Sequence, residues 1–354
     1  MRTYYSTFIP GLGEVVTSAL KERFSDVEIV LLLDGLVVYK TDLPTEEIVK
    51  LRFLNNTFYV LHFFKHVRKG DLPSLVKFTF QSDFLKKMEL PRLLPSVRSF
   101  RIITSFENEL GKIDPNLLKN MEEKLARATG LTLDRGKPDL EFWFLERSEG
   151  VGFFALRLTH KASGEKLLKP GELRPELANL LCLLSESKAG DVFLDPFAGW
   201  GGIVKEADNF PHKKIYASDI SNERIKYVSG VCHSGKPKAH PESRLWPSQS
   251  DIQVRQADAT NLTYLSNQSV DKIVTDPPWG LADQMETQDV EDLYEKAFKE
   301  FVRVLKPDGV IVLLTSRKLT MEKFLKENTN FKLVSKYDVL VNGKKAGVYK
   351  ITRI

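Results

Sequence analysis

Thr3 to Ile9, Glu28 to Tyr39 and Phe58 to Val67 are rich in aromatic, β-branched and other apolar residues, and they read as strands. Between them the spacing changes. Gly11 to Phe24 carries apolar positions at helical intervals behind Gly11-Leu12-Gly13, and Thr45 to Leu54 does so after Pro44. This βαββαβ-like order fits a small ferredoxin-like unit. A second block follows: strand Ser99 to Phe106, helix Asp114 to Thr129 closed by Gly130, and strands Leu140 to Leu145 and Gly152 to Leu158. From about Leu167 short apolar runs end in Asp and pass into a turn or a helix start, the alternation of an α/β sheet. Phe331 to Val341 and Gly347 to Ile354 flank Asn342-Gly343, the dipeptide of a tight antiparallel hairpin.

The strand ends carry the candidate chemistry. Asp191 to Ala198 reads DVFLDPFA and continues as Gly199-Trp200-Gly201-Gly202-Ile203: a strand, a glycine-rich turn and a helix start. A nucleotide-binding α/β sheet opens in this way, and Gly199 and Gly201 free the backbone to take positive φ beside a ligand. GWGG lacks the G-x-G-x-x-G spacing of a dinucleotide fingerprint, and Asp195 before the turn would repel a pyrophosphate. A P-loop needs Gly-Lys-Ser/Thr, which this turn does not have. A carboxylate here suits a cationic group instead, such as the α-amino group of S-adenosylmethionine. Lys214 to Asp219 is a short strand ending in Asp about 20 residues after the glycine turn, where a carboxylate grips ribose hydroxyls. Val254 to Asp258 ends likewise, suited to an adenine amino group. Singly, each Asp reads as a cap or turn residue. Four in series, Asp195, Asp219, Asp258 and Asp276, are hard to obtain by accident.

The last of these opens Asp276-Pro277-Pro278-Trp279-Gly280, directly after the apolar run Asp271 to Thr275. An exocyclic base nitrogen is a poor nucleophile because its lone pair is delocalised into the ring. Two acceptors correct this: the Asp276 carboxylate and the Pro277 carbonyl can each take one N–H and draw the lone pair out of conjugation. Neither proline has an N–H and both have fixed φ, so the carbonyls are held rigidly. Trp279 offers a flat face for an unstacked base. Taken alone, the pentapeptide is also what a strand, a Pro-Pro turn and a buried Trp would give.

Composition bounds the partners. At 354 residues the chain is too long for one such domain, and 42% apolar with 10% aromatic residues makes it globular. No apolar stretch is long enough to cross a bilayer, and the polar start MRTYYSTF is unlike a signal peptide. Cys182 and Cys232, the only cysteines, are far apart, which argues against disulfides and zinc. A soluble cytoplasmic protein without a metal and without membrane contact is expected, as a monomer. The net charge of +5 is modest, but residues 51 to 100 hold nine Lys or Arg against three acids, whereas the first fifty hold five against eight. A basic middle segment suits a polyanion, with Lys65, Arg68 and Lys69 as candidate contacts.

From about Leu167 onward these motifs resemble the class I S-adenosylmethionine-dependent methyltransferases, in the amino-methylating group with an [N/D]-P-P-[aromatic] motif. Phe301 to Gly309 and Val310 to Thr315 match that family's late helix, turn and strand. Residues 70 to 160, around ATGL and KPDLEFWF, look like a THUMP domain, and Gly171-Glu172-Leu173-Arg174-Pro175 resembles the GxLRP segment before the catalytic domain. Over nearly the whole chain the resemblance is to the THUMP-containing tRNA guanine-N2 methyltransferases. It implies an α/β fold: a Rossmann-like class I methyltransferase with a mixed seven-stranded sheet at 163–354, preceded by α+β ferredoxin-like (1–69) and THUMP (70–162) domains. It implies S-adenosylmethionine as cofactor, tRNA as partner, and methyl transfer to guanine N2. Asp276, Pro277 and Trp279 would be catalytic; Asp195, Phe197, Ala198, Gly199, Gly201, Asp219, Asp258, Ala259 and Asp276 would bind the cofactor; Arg174, Lys65, Arg68 and Lys69 would meet the RNA. Two departures stand out. Gly230 to Ser250 is longer and more polar than the usual link, and Trp279 stands where the family more often has Tyr. Amino-methylation of ribosomal RNA guanine or of DNA adenine, a protein or small-molecule methyltransferase, and a non-catalytic RNA-binding relic remain as alternatives.

Overall fold

Strands β1 (Arg2–Thr7), β2 (Glu28–Leu33), β3 (Leu36–Thr41) and β4 (Thr57–Lys65), with helices α1 (Gly13–Arg23) and α2 (Thr45–Val49), form the first unit of the computed structural model. The structure describes residues 1–81, 85, 97–107, 109–159, 168–232, 251–280 and 287–354. The strand-like run from Glu28 to Tyr39 is an antiparallel hairpin turning at Asp34-Gly35, where Gly35 takes φ +81°. α2 is shorter than its sequence spacing predicts. Leu51, Phe53 and Leu54 are all buried, and a helix of 3.6 residues per turn could not send all three to one side.

The second block contributes α3 (Leu72–Gln81), β5 (Ser99–Phe106), β6 (Glu109–Leu110), α4 (Pro115–Thr129), β7 (Thr132–Leu133), β8 (Leu140–Arg147) and β9 (Val151–Arg157). α4 has both of its ends written in the sequence. The Asp114 carboxylate accepts from the Leu117 N–H at 2.9 Å, Pro115 occupies the first helical position, and Gly130 closes the helix at φ +73°. The two blocks share one sheet, ordered β2-β3-β1-β4-β9-β8-β5-β6 with β7 on β5. The join is the antiparallel β4·β9 ladder, which runs from Phe58 opposite Arg157 to Lys65 opposite Val151.

The C-terminal half is built from α5 (Pro175–Leu184), β10 (Asp191–Asp195), α6 (Gly202–Ala207), β11 (His212–Asp219), α7 (Asn222–Cys232), β12 (Asp251–Gln256), β13 (Val270–Thr275), α8 (Thr287–Val304), β14 (Leu305–Thr315), α9 (Lys318–Glu327), β15 (Phe331–Val341) and β16 (Lys344–Arg353). The first five of these strands are parallel, and β16 inserts antiparallel between β14 and β15 to give the order β12-β11-β10-β13-β14-β16-β15. β13 is buried at five of its six positions, the pattern of a strand covered on both faces. Strand order reverses between β10 and β13, the point at which open α/β sheets form a crevice beyond their carboxyl ends. Asn342 (φ +50°) and Gly343 (φ +77°) make the two-residue turn between β15 and β16. Gly230 to Cys232 belong to the last turn of α7, and residues 233–250 of the polar excursion lie outside the described residues, as do Lys86, Lys87 and Arg92 of the basic segment.

The halves are in contact. One apolar core holds Tyr4, Phe8 and Leu20 together with Leu177, Leu181 and Val204. Gly11 (φ +89°) packs its Cα against β15 so closely that a Cβ would stand 1.8 Å from the Asp338 carbonyl oxygen. Arg52, one of the nine cations of the basic segment, turns inward and pairs with Glu206 of α6. Among the described residues no helix is long and apolar enough to cross a membrane.

Candidate active site

Asp195 closes β10 and Asp276 follows β13, so two neighbouring strands deliver carboxylates to the same crevice. A cavity of about 500 Å3 lies there, the size of a small-molecule site. Its wall combines Asp195, Phe197, Ala198 and Gly199 with Asp219, Arg224 and Asp276 to Trp279. Three more segments complete it: Pro170 to Leu173, Trp200 to Ile203 in part, and the hairpin tip Val341, Asn342 and Lys344.

Asp195 is 1% exposed. Its Oδ1 accepts from the Thr275 hydroxyl at 2.9 Å and from the Phe197 N–H at 3.2 Å, while Oδ2 is buried without a hydrogen-bond partner. Burial, with added repulsion from Asp219 and Asp276, pushes its carboxyl up to about 8. Asp219 holds the glycine turn in place: Oδ2 accepts from the Gly199 N–H and Oδ1 from the Ser221 N–H, both at 2.9 Å. Arg224 stands 3.8 Å from that carboxylate. Gly199 and Gly201 take φ of +51° and +80°, and a Cβ on Gly201 would press to 3.1 Å from Val228.

Asp276 Oδ1 accepts from the Trp279 indole N–H at 2.8 Å. Its Oδ2 and the Pro277 carbonyl accept no hydrogen bond from the described residues. Burial pushes the Asp276 carboxyl up to about 7, against the Trp279 hydrogen bond, which lowers it. The next carbonyls are held: the Tyr294 hydroxyl reaches Pro278 O at 3.3 Å and Thr315 Oγ1 at 2.8 Å, and the Arg317 Nε–H donates to Trp279 O at 2.8 Å.

Several candidates lie elsewhere. Asp258 is exposed and outside the cavity wall, its Oδ1 accepting from the Thr260 N–H and hydroxyl at 2.8 Å. Ala259 is buried beside it, and Gly201 sits behind the wall at the start of α6. Arg174 occupies the cap of α5, with Nε 3.7 Å from Glu176. Lys65, Arg68 and Lys69 are exposed where β4 ends, Lys65 over the Phe63 ring and Lys69 over Phe106. Sequence reasoning misses Thr275, Arg317 and the hairpin tip. Thr275 has a local signal, a hydroxyl ending an apolar strand. The other two depend on strand order, which no local pattern encodes.

The cavity fits S-adenosylmethionine. An orphaned buried carboxylate oxygen calls for a cation, positive-φ glycines admit a close ligand, and Asp219 keeps acceptor capacity beyond the two N–H groups it holds.

A family model of RMKL-like methyltransferase domains (UPF0020) matches residues 165–227 and 237–346. A tRNA (guanine(6)-N2)-methyltransferase of Thermus thermophilus is 29% identical over 237 residues, 66% of each chain. A probable tRNA (guanine(10)-N2)-dimethyltransferase of Methanothermococcus thermolithotrophicus is 34% identical over 152 residues, 43% of this chain and 86% of that one. The crystal structure of TrmN from Thermus thermophilus superposes with a TM-score of 0.75 at 23% identity, covering 100% of both chains. The chain thus spans just under two thirds of the length of the first relative.

Proposed function

We propose that this chain, which belongs to the RMKL-like methyltransferase family, transfers a methyl group from S-adenosylmethionine to the exocyclic N2 of a guanosine in tRNA. The observation that carries the reading is the pair of acceptors without partners among the described residues, Asp276 Oδ2 and Pro277 O, on residues that line the same cavity as Asp195 with its orphaned Oδ2. One set suits a planar amine with two N–H groups, the other a cationic donor.

S-adenosylmethionine, when bound, supplies an electrophilic methyl group on a sulfonium and leaves as the neutral thioether. Asp195 would hold the α-amino group and Asp219 the ribose hydroxyls, while the backbone at Gly199 would allow close approach. On the acceptor side Asp276 Oδ2 and Pro277 O each accept one N–H of the amine, which turns its lone pair toward the methyl carbon. On accepting the methyl group the amine nitrogen would become positive. Its surplus proton passes to the Asp276 carboxylate, whose proton affinity near 7 suits receipt and release to water at neutral pH. Positioning supplies most of the acceleration. The fused N-terminal sheet, read as ferredoxin-like and THUMP-like units (1–69 and 70–162), captures the tRNA, with Lys65, Arg68 and Lys69 on its phosphates.

The names of the two relatives support guanine N2 over adenine as the target. Incubation of undermodified tRNA with purified protein and isotope-labelled donor, followed by nucleoside mass spectrometry, tests it. Labelled N2-methylguanosine is expected; label only in another nucleoside, or only in DNA adenine, refutes it.

A further inference from the structure

Beyond stacking a base, Trp279 makes a contact that a Tyr or Phe at this position would not make in the same way. Its indole N–H reaches Asp276 Oδ1 at 2.8 Å, three residues back along the same turn. A carboxylate on a single bond can otherwise rotate and exchange its two oxygens. Here one oxygen is occupied by a donor that is itself fixed. The Trp279 carbonyl is held by the Arg317 Nε–H at 2.8 Å, the ring packs against the apolar core, and two prolines lock the backbone between the partners.

We propose that Trp279 is a positioning residue for Asp276: its N–H fixes the carboxylate plane so that Oδ2 alone is presented to the acceptor amine, and it favours the ionised carboxylate. The proposal rests on the amino-methylation reading above. An N–H given to a carboxylate favours the charged form. That is the direction needed here, because burial acts the opposite way on this group. The other charged or titratable groups facing Asp276 do not supply it. Asp195 and Asp219 at the neighbouring strand ends are themselves carboxyls and give no help to a negative charge, Glu172 across the cavity is paired with Lys205 at 2.6 Å, and Tyr294 on α8 is neutral with its own ionisation pushed up by burial. Arg317 spends its Nε–H on the Trp279 carbonyl, and Arg224 lies beside Asp219. Lys344 at the hairpin tip is exposed and solvated.

The test is Trp279→Phe, which keeps an aromatic plane and deletes the N–H. Titration of the Asp276 carboxyl, followed by 13C NMR in aspartate-labelled full-length protein, is expected to show a midpoint higher than wild type by on the order of one pH unit. The acid limb of kcat for methyl transfer should move with it. The variant then loses about fivefold at pH 7, where fewer of its carboxylates are ionised, and recovers toward wild type at pH 9. Trp279→Leu, which removes plane and N–H together, should show the same midpoint shift plus a loss at every pH. Donor binding by calorimetry checks that both variants are folded. Equal carboxyl midpoints in wild type and Trp279→Phe overturn the proposal, as does a loss of kcat in Trp279→Phe that does not depend on pH. If the wild type methylates no guanine, the functional reading falls, while the NMR titration still decides the role of Trp279.

Discussion

Arg52 and Glu206, 154 positions apart, are joined by two hydrogen bonds: Nε to Oε2 at 2.8 Å and an Nη to Oε1 at 2.6 Å. Glu206 is 2% exposed and also accepts from Asn179 at 3.0 Å. The pair fastens the N-terminal half to α6, the helix that follows the glycine turn. Arg52→Ala strands a buried carboxylate, and stability should fall by about 2–3 kcal/mol, discounted for the quarter of the Arg52 side chain that meets solvent. The double variant Arg52→Met, Glu206→Leu should cost less than the single one. Chemical denaturation of the three proteins measures both.

Asp276→Asn keeps the shape of the side chain and removes its charge. Methyl transfer should drop by about ten- to hundred-fold from the missing charge-assisted hydrogen bond, and further from poorer positioning. Donor affinity should stay within a few-fold, read by calorimetry beside the turnover assay. Near wild-type turnover would remove Asp276 from the reaction.

The carboxyl of Asp195, pushed up to about 8, is mostly protonated at pH 7 in the free protein. A cationic amino group set against it favours the carboxylate, so donor binding should expel close to one proton at pH 7. Affinity should rise with pH toward 8, by up to about tenfold per unit, and flatten above. Calorimetry in buffers of different ionisation enthalpy counts the proton. Asp195→Asn should bind more weakly and expel about one proton fewer.

Asp219→Ala withdraws the acceptor for the Gly199 and Ser221 N–H groups as well as the proposed ribose contact. Donor affinity should fall by at least about tenfold, with tRNA affinity unchanged in a filter-binding assay. Unchanged donor affinity would take Asp219 out of the site.

Reversing charge at Lys65, Arg68 and Lys69 should weaken tRNA binding and flatten its salt dependence, by roughly 0.7–0.9 in log–log slope for each phosphate no longer neutralised. Donor affinity should hold. An unaltered salt slope would move the RNA-binding surface to another face.

What the chain discloses about itself depends on the range of the interaction. The ends of α4 are legible because Asp114, Pro115 and Gly130 each act within four residues. β13 and the carboxylate after it are legible because the apolar pair Ile273-Val274 runs up to the strand's end, where Asp276 and two prolines break the pattern. Arg52 reads as a surface cation because its partner, Glu206, lies 154 positions away in the chain. The Asp276–Trp279 bond joins residues three apart, yet it depends on two rotamers that composition does not specify. Asn342 and Lys344 read as an ordinary hairpin turn. Only the insertion of β16 between β14 and β15 carries that turn to the cavity.

The β4·β9 ladder has a mechanical meaning. Seven residue pairs stitch it, so bending the N-terminal sheet along that line would break backbone hydrogen bonds rung after rung. Tilting the sheet against the catalytic half strains instead the Arg52–Glu206 bridge and the Gly11 seat on β15. Such a tilt would also shear the apolar core that Tyr4, Phe8 and Leu20 share with Leu177, Leu181 and Val204. Any displacement of the N-terminal sheet thus meets α6 through Glu206 and the hairpin through the Gly11 seat on β15, and that hairpin's tip walls the cavity.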